Sequence, residues 1–246
     1  MTDLPRPSEI HPRTLVLRAL RPVFRRVLRA WYDVRVHGAE HVPASGPLVL
    51  AANHVGWLDG PLLAIETPRP VHAWTKTEMF RGPLGLLLSS AGQIPLDRFH
   101  ADPGAVKSAL RVLADGGAVG VFPEGERGDG ELRRFHGGAS YLAMARGATV
   151  VPVTMVGTRE AGADRSSVPP RGTRIDVVFG PPLDVTAVPW PRTREQVTAS
   201  SMLLWEHLRE HQRHALAHLG RTLPGPLPAG DIHDDPDTGF VEQGAR

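Results

Sequence analysis

The 246-residue sequence contains no cysteine. This absence excludes disulfides, cysteine-ligated metals and thiol nucleophiles, and it fits a reducing compartment. Aromatic residues are scarce at 6%, and no window of about 18 apolar residues occurs, so we expect no membrane-spanning helix. The N-terminus has no compact apolar stretch followed by a small-residue cleavage site, so no signal peptide is predicted.

Lysine is almost absent. Only Lys76 and Lys107 occur among the 28 basic residues, so the other 26 are arginines. Arginine stays charged at any relevant pH, which explains an isoelectric point near 9.5 at a net charge of only +2. The arginines fit an anionic, phosphate-bearing partner, but they equally fit the composition of a GC-rich bacterial genome. Composition alone does not choose between these interpretations.

The chain divides into four segments by pattern. We predict a leader with amphipathic helices over residues 1–34, an α/β domain over 35–192, a C-terminal helix over 193–220 and a disordered tail over 221–246.

The N-terminal segment combines two stripes at helical spacing over residues 13–32. Leu17, Leu20, Phe24, Leu28 and Trp31 form an apolar stripe, and Arg18, Arg21, Arg25 and Arg29 form a basic one. Pro22 should kink this helix or split it in two. The helix either lies on an anionic bilayer or packs on the domain with its arginines in solvent.

Short apolar runs alternate with helical segments from residue 47 onwards. The predicted strands are 47–53, 117–123, 148–156 and 174–180, with weaker candidates at 71–76 and 92–97. The predicted helices between them are 61–66, 82–91, 103–114 and 137–147. This alternation predicts an α/β fold with a mostly parallel central sheet flanked by helices, and chemistry beyond the carboxyl ends of the strands.

The segment AANHVGWLDGP (51–61) follows the first predicted strand. On one continuous helix His54 and Asp59 would lie about 140° apart. If His54 instead lies on a loop and the helix begins near Gly60–Pro61, Asp59 can hold one ring nitrogen while the other takes a proton from an alcohol. Alternatively, Asp59 only caps the helix. Because no cysteine and no Gly-x-Ser-x-Gly segment supplies a nucleophile, the pair suggests that the substrate brings the hydroxyl.

Three further blocks follow in order, namely GQIPLDR (92–98), VFPEGERG (121–128) and VVPVTMVG (150–157). Together with Asn53 and His54, they resemble the four blocks of the glycerolipid acyltransferases, the family that includes the lysophosphatidate acyltransferases. The resemblance covers about residues 35–185. It implies that His54 is the general base and that Asp59 orients it.

The resemblance also implies substrate-binding residues. The positions matched to the phosphorylated acceptor are Arg98, Glu124, Gly125 and Arg127. Arginines clamp phosphate bidentately, and glycine allows close backbone approach. Lys76 stands where the family often carries a basic residue. Pro152 matches the block associated with the acyl-donor side.

Three positions depart from the family pattern. Gly56 replaces the usual serine two residues after the histidine, Glu126 replaces a threonine, and Gly128 replaces a serine. If Glu126 and Arg127 both face the ligand, repulsion would weaken phosphate binding by about 1 kcal/mol, and the acceptor would differ from lysophosphatidate. The interpretation we favour is that Glu126 turns away and pairs with Arg133 or Arg134.

The implied reaction moves a fatty acyl group from acyl-CoA or acyl carrier protein to the free hydroxyl of 1-acyl-sn-glycerol 3-phosphate. Another lysophospholipid or a non-phosphorylated lipid alcohol is the alternative acceptor. We expect no metal, no redox cofactor and no nucleic acid partner. We expect a cytoplasmic protein associated peripherally with the inner face of the cell membrane.

A rival function is suggested by HLREH (207–211), which has the form of an inverted zinc-peptidase motif. His214 and His218 continue the same helix face. Zinc needs a third protein ligand in a sheltered cleft, whereas this helix is surrounded by arginines and followed by a segment rich in proline and glycine. A solvated stripe of histidines is the favoured interpretation over a zinc hydrolase.

Overall fold

The computed structural model describes residues 15–229 and a short strand at 240–241. The helices are α1 (Leu15–Trp31), α2 (Asp59–Glu66), α3 (Gly82–Ser90), α4 (Pro103–Ala114), α5 (Gly138–Arg146) and α6 (Arg194–Leu219). The strands are β1 (Asp33–His37), β2 (Leu48–Ala52), β3 (Val71–Lys76), β4 (Ile94–Leu96), β5 (Ala118–Val121), β6 (Arg134–Phe135), β7 (Thr149–Val156), β8 (Arg174–Phe179), β9 (Leu183–Asp184) and β10 (Phe240–Val241).

The central sheet has the strand order β1-β8-β7-β2-β5-β3-β4, with β9 paired to β7. Neighbouring strands are parallel except where β7 meets β8 and β9. The predicted, mostly parallel sheet is therefore confirmed. Strand β1 was not predicted, since its alternating sequence DVRVH is short and it pairs at the sheet edge with β8, far along the chain.

Helices cover both faces of the sheet, and consecutive strand residues enter opposite cores. Val49 and Val150 pack with α4, α5 and α6, whereas Leu48, Leu50 and Val151 pack on the face that α2 covers. The side chains of these five residues have no exposed area. Burying one such side chain stabilises the fold by about 1.5–3 kcal/mol, so the strands are fixed in register.

Helix α1 packs against α2 through its arginines. Arg21 and Arg25 donate to the carbonyl of Ile65 at 3.3 and 2.7 Å, and Arg29 donates to the Glu66 carboxylate at 2.8 Å. The bonds from Arg21 and Arg25 satisfy a main-chain carbonyl at the C-terminal end of α2, where the helix dipole is negative. Helix α1 therefore packs on the domain, and three arginines of its basic stripe hold it there, although one of the two interpretations placed them in solvent.

The apolar stripe of α1 is partly exposed, at Phe24 and Trp31, and so are Val23 and Val27 beside it. Val23, Val27 and Trp31 expose about half of their areas, at 54%, 48% and 53%. Pro22 lies within one continuous helix, so of the two expected effects, a kink or a split into two helices, the split does not occur. Pro22 itself is exposed, so its ring faces solvent rather than a neighbouring element.

Local sequence features define both ends of helix α6. Thr193 and Gln196 form a capping box at its start, and Gly220 adopts the left-handed conformation at its end. The chain then returns to the domain, where Arg221 binds the Asp176 carboxylate at 2.8 Å and the Gly225 carbonyl accepts from Arg159 at 2.6 Å. The sequence suggested a disordered tail over 221–246. Residues 221–225 are instead held by these contacts, and 230–239 and 242–246 lie outside the described residues.

None of the helices in the part of the chain that the structure describes has the length and apolarity needed to traverse a lipid bilayer.

Candidate active site

Three neighbouring parallel strands, β7, β2 and β5, end at the same edge of the sheet. Ala51 is in register with Val121 on one side and with Pro152 on the other. The loops that follow these strands therefore meet at this edge, as the fold class predicts. They carry His54, the segment 122–128 and Arg159.

His54 and Asp59 form a hydrogen-bonded pair. Nδ1 of His54 lies 2.8 Å from Oδ2 of Asp59, which is fully buried at the first residue of α2. The same oxygen accepts from the main-chain N–H groups of Val55 at 2.7 Å and Gly56 at 2.8 Å. Asp59 therefore fixes the loop and orients the imidazole at once. Since a carboxylate accepts at Nδ1, the ring's Nε2 is left to accept a proton.

Both main-chain polar groups of His54 are held by the loop after β5. Its N–H donates to Oε1 of Glu124 at 2.7 Å, and its carbonyl accepts from Gly128 N–H at 2.9 Å. The imidazole also stacks on Phe122, with ring centroids 4.1 Å apart. Its side chain is only 18% exposed. His54 is thus held on several sides before any substrate arrives, as a general base requires.

The electrostatic environment keeps His54 neutral. Burial lowers the pKa of His54 below its ordinary value, the bond to Asp59 opposes that shift, and the charges of Arg127 and Lys76 lower the pKa further. At neutral pH the imidazole of His54 is therefore in its neutral form, which can accept a proton. Burial also raises the pKa of Glu124 well above its ordinary value, and the charges of Asp129 and Asp59 add to this.

The site opens into a cavity of about 540 Å³. Its polar lining includes His54, His136, the cationic side chains of Lys76, Arg98 and Arg127, and one acidic residue, Asp97. Its apolar lining comes from α1, α2 and α3, including Leu17, Leu20, Phe24, Leu28, Ile65, Leu84, Leu87 and Leu88. The base therefore lies in a cavity that suits a ligand with an anionic head and a long apolar chain.

Comparison with known proteins identifies the chain. A family model described as Acyltransferase matches residues 33–156, just over half of the sequence. The chain belongs to this acyltransferase family.

Named relatives agree with this assignment. The acyltransferase is 26% identical over 179 residues to 1-acyl-sn-glycerol-3-phosphate acyltransferase of Bacillus subtilis strain 168, spanning 72% of this chain and 87% of that protein. It is 34% identical over 133 residues to the chloroplast enzyme LPAT1 of Arabidopsis thaliana, spanning 52% of this chain and 37% of that one.

A solved structure also agrees in fold. The crystal structure of the 1-acyl-sn-glycerophosphate acyltransferase PlsC from Thermotoga maritima matches with a TM-score of 0.64. The two sequences are 22% identical, and the match covers 83% of this chain and 80% of that chain. The family resemblance and the α/β fold predicted for this acyltransferase are therefore confirmed.

The predicted acceptor-binding residues do not all reach the cavity. Arg98 and Arg127 line it, and each is oriented by a carbonyl, that of Gly125 at 3.2 Å and that of Arg165 at 2.8 Å. Glu124 is buried and does not line the cavity, and its carboxylate accepts a hydrogen bond from the His54 N–H. We therefore assign Glu124 to the support of His54.

Gly125 has a conformational reason to be glycine. Its N–H donates to the Phe122 carbonyl at 3.0 Å, which closes a β-turn with Pro123 at the second position. Its φ is +78°, in the left-handed region that favours glycine. Gly125 also lines the cavity, beside the position predicted for the phosphate.

Glu126 turns towards arginines behind the loop. It is buried, 3.4 Å from Arg165 and 3.8 Å from Arg134. Of the two partners suggested by the sequence, Arg134 is found, whereas Arg133 binds Glu131 at 2.6 Å. Its carboxylate is directed to these arginines and Glu126 does not line the cavity, in agreement with the favoured interpretation.

Gly56 is fixed by steric contact. A Cβ atom at this position would lie 2.3 Å from the carbonyl oxygen of Thr158, closer than any real contact. The serine that is usual in the family would therefore displace the backbone after β7 in this acyltransferase. The departure at Gly56 reflects close packing of two loops.

Pro152 lies within β7, in register with Ala51, and its carbonyl accepts from Gly180 N–H at 2.8 Å. The structure buries it in the sheet, away from the cavity lining. Its suggested role on the acyl-donor side stays a prediction.

Two residues that support the site have roles that the sequence did not predict. Asn53 joins the end of β2 to β7, since its side chain accepts from Met155 N–H at 2.7 Å and donates to the Met155 carbonyl at 3.1 Å. Phe122 stacks on His54. Both residues lie inside the family-like blocks, which was the available signal, but their partners are distant in sequence.

The histidines of HLREH have structural roles. Nε2 of His207 donates to the Pro181 carbonyl at 2.9 Å, and Nε2 of His211 donates to the Val178 carbonyl at 3.1 Å. His211 is buried, which lowers its pKa to about 4, so the expectation of a solvated stripe is wrong at this position. Within residues 15–229, no group of three or more metal-ligating side chains is placed to hold an ion. A zinc hydrolase gains no support.

Proposed function

We propose that this acyltransferase moves a fatty acyl group from CoA or acyl carrier protein to the free hydroxyl of 1-acyl-sn-glycerol 3-phosphate, forming phosphatidate. The observation that carries the proposal is a neutral, oriented His54 in a cavity with both cationic and apolar linings. The relatives from Bacillus subtilis and Arabidopsis thaliana, both named as 1-acyl-sn-glycerol-3-phosphate acyltransferases, support the same acceptor.

The proposed mechanism is direct acyl transfer. Nε2 of His54 takes the proton of the acceptor hydroxyl as its oxygen attacks the thioester carbonyl carbon. The carbon–sulfur bond then breaks, and the thiolate leaves and takes the proton back from the imidazolium. Asp59 stabilises that imidazolium through Nδ1, and the charges of Lys76 and Arg127 favour the anionic intermediate.

A phosphorylated acceptor is favoured over a neutral lipid alcohol by the cationic lining. Arg98, Arg127 and Lys76 all line the cavity, and Glu126 is directed to arginines outside it. Arginine and lysine contacts to phosphate are strong because donor and acceptor are both charged. The remaining choice among lysophospholipids depends on the rest of the headgroup.

Replacement of Arg127 by alanine tests the acceptor class. We expect the KM for 1-acylglycerol 3-phosphate to rise about 10-fold or more, since a hydrogen bond between charged groups contributes about 1.5–3 kcal/mol. The KM for monoacylglycerol should stay nearly constant. Steady-state kinetics with both acceptors measures this, and Arg213→Ala, on the exposed side of α6, is the matched control. An unchanged KM for the phosphorylated acceptor would indicate another acceptor class.

We also propose peripheral attachment to the inner face of the cell membrane, through an apolar surface beside the cavity. This surface comprises Val23, Val27 and Trp31 of α1 and Leu86 of α3, the last 75% exposed. The same two helices line the apolar cavity, so lipids would enter from the bilayer directly.

Sedimentation with liposomes tests this attachment. The double variant Val23→Asp, Leu86→Asp changes exposed residues outside the cavity lining. We expect its partition onto phosphatidylcholine–phosphatidylglycerol vesicles to fall about tenfold or more, since burying each apolar side chain contributes about 1.5–3 kcal/mol. Met202→Asp, Leu203→Asp on α6 is the matched control, with two exposed apolar residues elsewhere. Equal binding by both double variants would contradict attachment through α1 and α3.

A further inference from the structure

Arg159 is a buried cation just after β7, only 3% exposed. Its guanidinium donates to main-chain carbonyls of four separate segments. Nε donates to Val55 at 3.0 Å, Nη1 to Ala163 at 2.9 Å, and Nη2 to Gly128 at 3.0 Å and Gly225 at 2.6 Å. The rigid fork of an arginine is suited to joining several acceptors at fixed angles.

Two of these acceptors belong to the segments that hold the base. The Val55 carbonyl and the Gly56 N–H form one peptide group, which Arg159 binds at one end and Asp59 at the other. Gly128 likewise donates its N–H to the His54 carbonyl and offers its own carbonyl to Arg159. The guanidinium therefore braces both sides of the loop on which His54 lies.

Packing of the preceding residue reinforces this brace. The Thr158 carbonyl lies so close to Gly56 that no Cβ fits between them. The segment 157–159 therefore sets the position of the loop after β2 by contact as well as by hydrogen bonds. Through Gly225, the same guanidinium ties in the chain that follows α6.

We propose that Arg159 is a positioning residue for acyl transfer, which holds His54 and Asp59 in their reactive geometry and couples the segment after α6 to that geometry. The inference rests on the proposed role of His54 as the base. A displacement of about 1 Å in a reacting group lowers rates by up to about 10²-fold, so loss of this brace should reduce turnover more than substrate binding.

Arg69 provides a matched control at the opposite edge of the sheet. It also donates to main-chain carbonyls, those of Pro43 at 3.0 Å, Gly46 at 2.9 Å and Gly116. These acceptors precede β2 and β5, whereas the acceptors of Arg159 near His54 follow the same two strands. Arg69→Lys thus removes a comparable fork without touching the catalytic loop.

The experiment compares kcat, KM and the thermal midpoint of Arg159→Lys and Arg69→Lys. For Arg159→Lys we expect a kcat about 10- to 100-fold below wild type, with a nearly unchanged KM. For Arg69→Lys we expect a wild-type kcat. Both variants should have a lower thermal midpoint, because each loses hydrogen bonds to main-chain carbonyls. Arg159→Gln, which keeps two amide donors, replaces Arg159→Lys if the latter does not fold. A wild-type kcat in the folded Arg159 variant, or an equal fall of kcat in Arg69→Lys, would overturn the proposal.

The acceptor in these assays is whichever lipid the wild-type protein turns over fastest. If the protein does not turn over 1-acylglycerol 3-phosphate, only the proposed acceptor is contradicted. The role of Arg159 is tested separately, by comparing the kcat values of the two arginine variants.

Discussion

Replacement of His54 by alanine is expected to lower the kcat of acyl transfer by at least about 10²-fold, the lower range for the loss of a general base. The variant should stay folded, because the contacts that hold residue 54 to the loop after β5 use its main-chain N–H and carbonyl, which alanine keeps. Asp59 also keeps its two main-chain donors, Val55 and Gly56.

The measurement is steady-state turnover together with the circular dichroism spectrum and thermal midpoint. His100→Ala is the matched control, because His100 also contacts an aspartate through Nδ1, at 2.9 Å, but is 82% exposed. The control should retain wild-type kcat. Near-normal turnover in folded His54→Ala would exclude the proposed mechanism.

The second large effect is expected from Asp59→Asn. Its kcat should fall by at least about 10²-fold, because the amide no longer stabilises the imidazolium formed when His54 takes the proton. Structure should be largely preserved, since an amide oxygen can still accept from the donors around the buried Oδ2.

The pH profile of Asp59→Asn carries a further expectation. Neutral His54 is the active form, so the rate is lost as the pH falls through the His54 pKa, which burial already holds below its ordinary value. Asp59 raises that pKa, so its neutralisation should lower the pKa again and move the acid limb of kcat/KM to lower pH. Asp115→Asn, at an exposed aspartate paired with Arg111, should leave the limb in place. An acid limb that moves to higher pH would contradict the assigned role of Asp59.

Local features of the site were predictable from the sequence. Pro61 predicted that a helix begins just after Asp59, and in the structure α2 begins at Asp59 itself. That start places the carboxylate beside the loop, where it binds His54 and the Gly56 N–H. The interpretation of Asp59 as the cap of α2 is wrong, because Leu58 is the residue that precedes the helix and no side chain caps it. The catalytic role of Asp59 stays a prediction. The four ordered blocks indicated which strand ends meet, because parallel strands bring their carboxyl ends to one edge.

Contacts between distant segments were not predictable. The carboxylate of Glu124 binds the main chain of His54, and no pattern near either residue indicates this contact. Arginines near Glu126 in the sequence are its predicted partners, but Arg165, which also binds it, comes from the loop after β7. Such pairs depend on sheet order, which periodicity does not determine.

The way in which α1 packs on the domain was likewise not predictable from the sequence. Helical spacing correctly separates an apolar face from a basic one, but it does not say which face meets the domain. Arg21, Arg25 and Arg29 bind the end of α2. Leu17 and Leu28 of the apolar stripe also pack on the domain, whereas Trp31 is exposed, so part of each face meets the domain. The orientation depends on the position of free carbonyls at Ile65, which only the tertiary structure supplies.

Incubation of the full chain with one isotope-labelled acyl-CoA and a panel of lipid acceptors, read by mass spectrometry, decides whether the cavity performs the proposed reaction. The panel contains 1-acylglycerol 3-phosphate, glycerol 3-phosphate, other lysophospholipids and monoacylglycerol. Labelled phosphatidate should form fastest from 1-acylglycerol 3-phosphate, with one free thiol released per product and little product from His54→Ala. Label that appears only in free fatty acid, or a non-phosphorylated acceptor that reacts fastest, would contradict the proposed function.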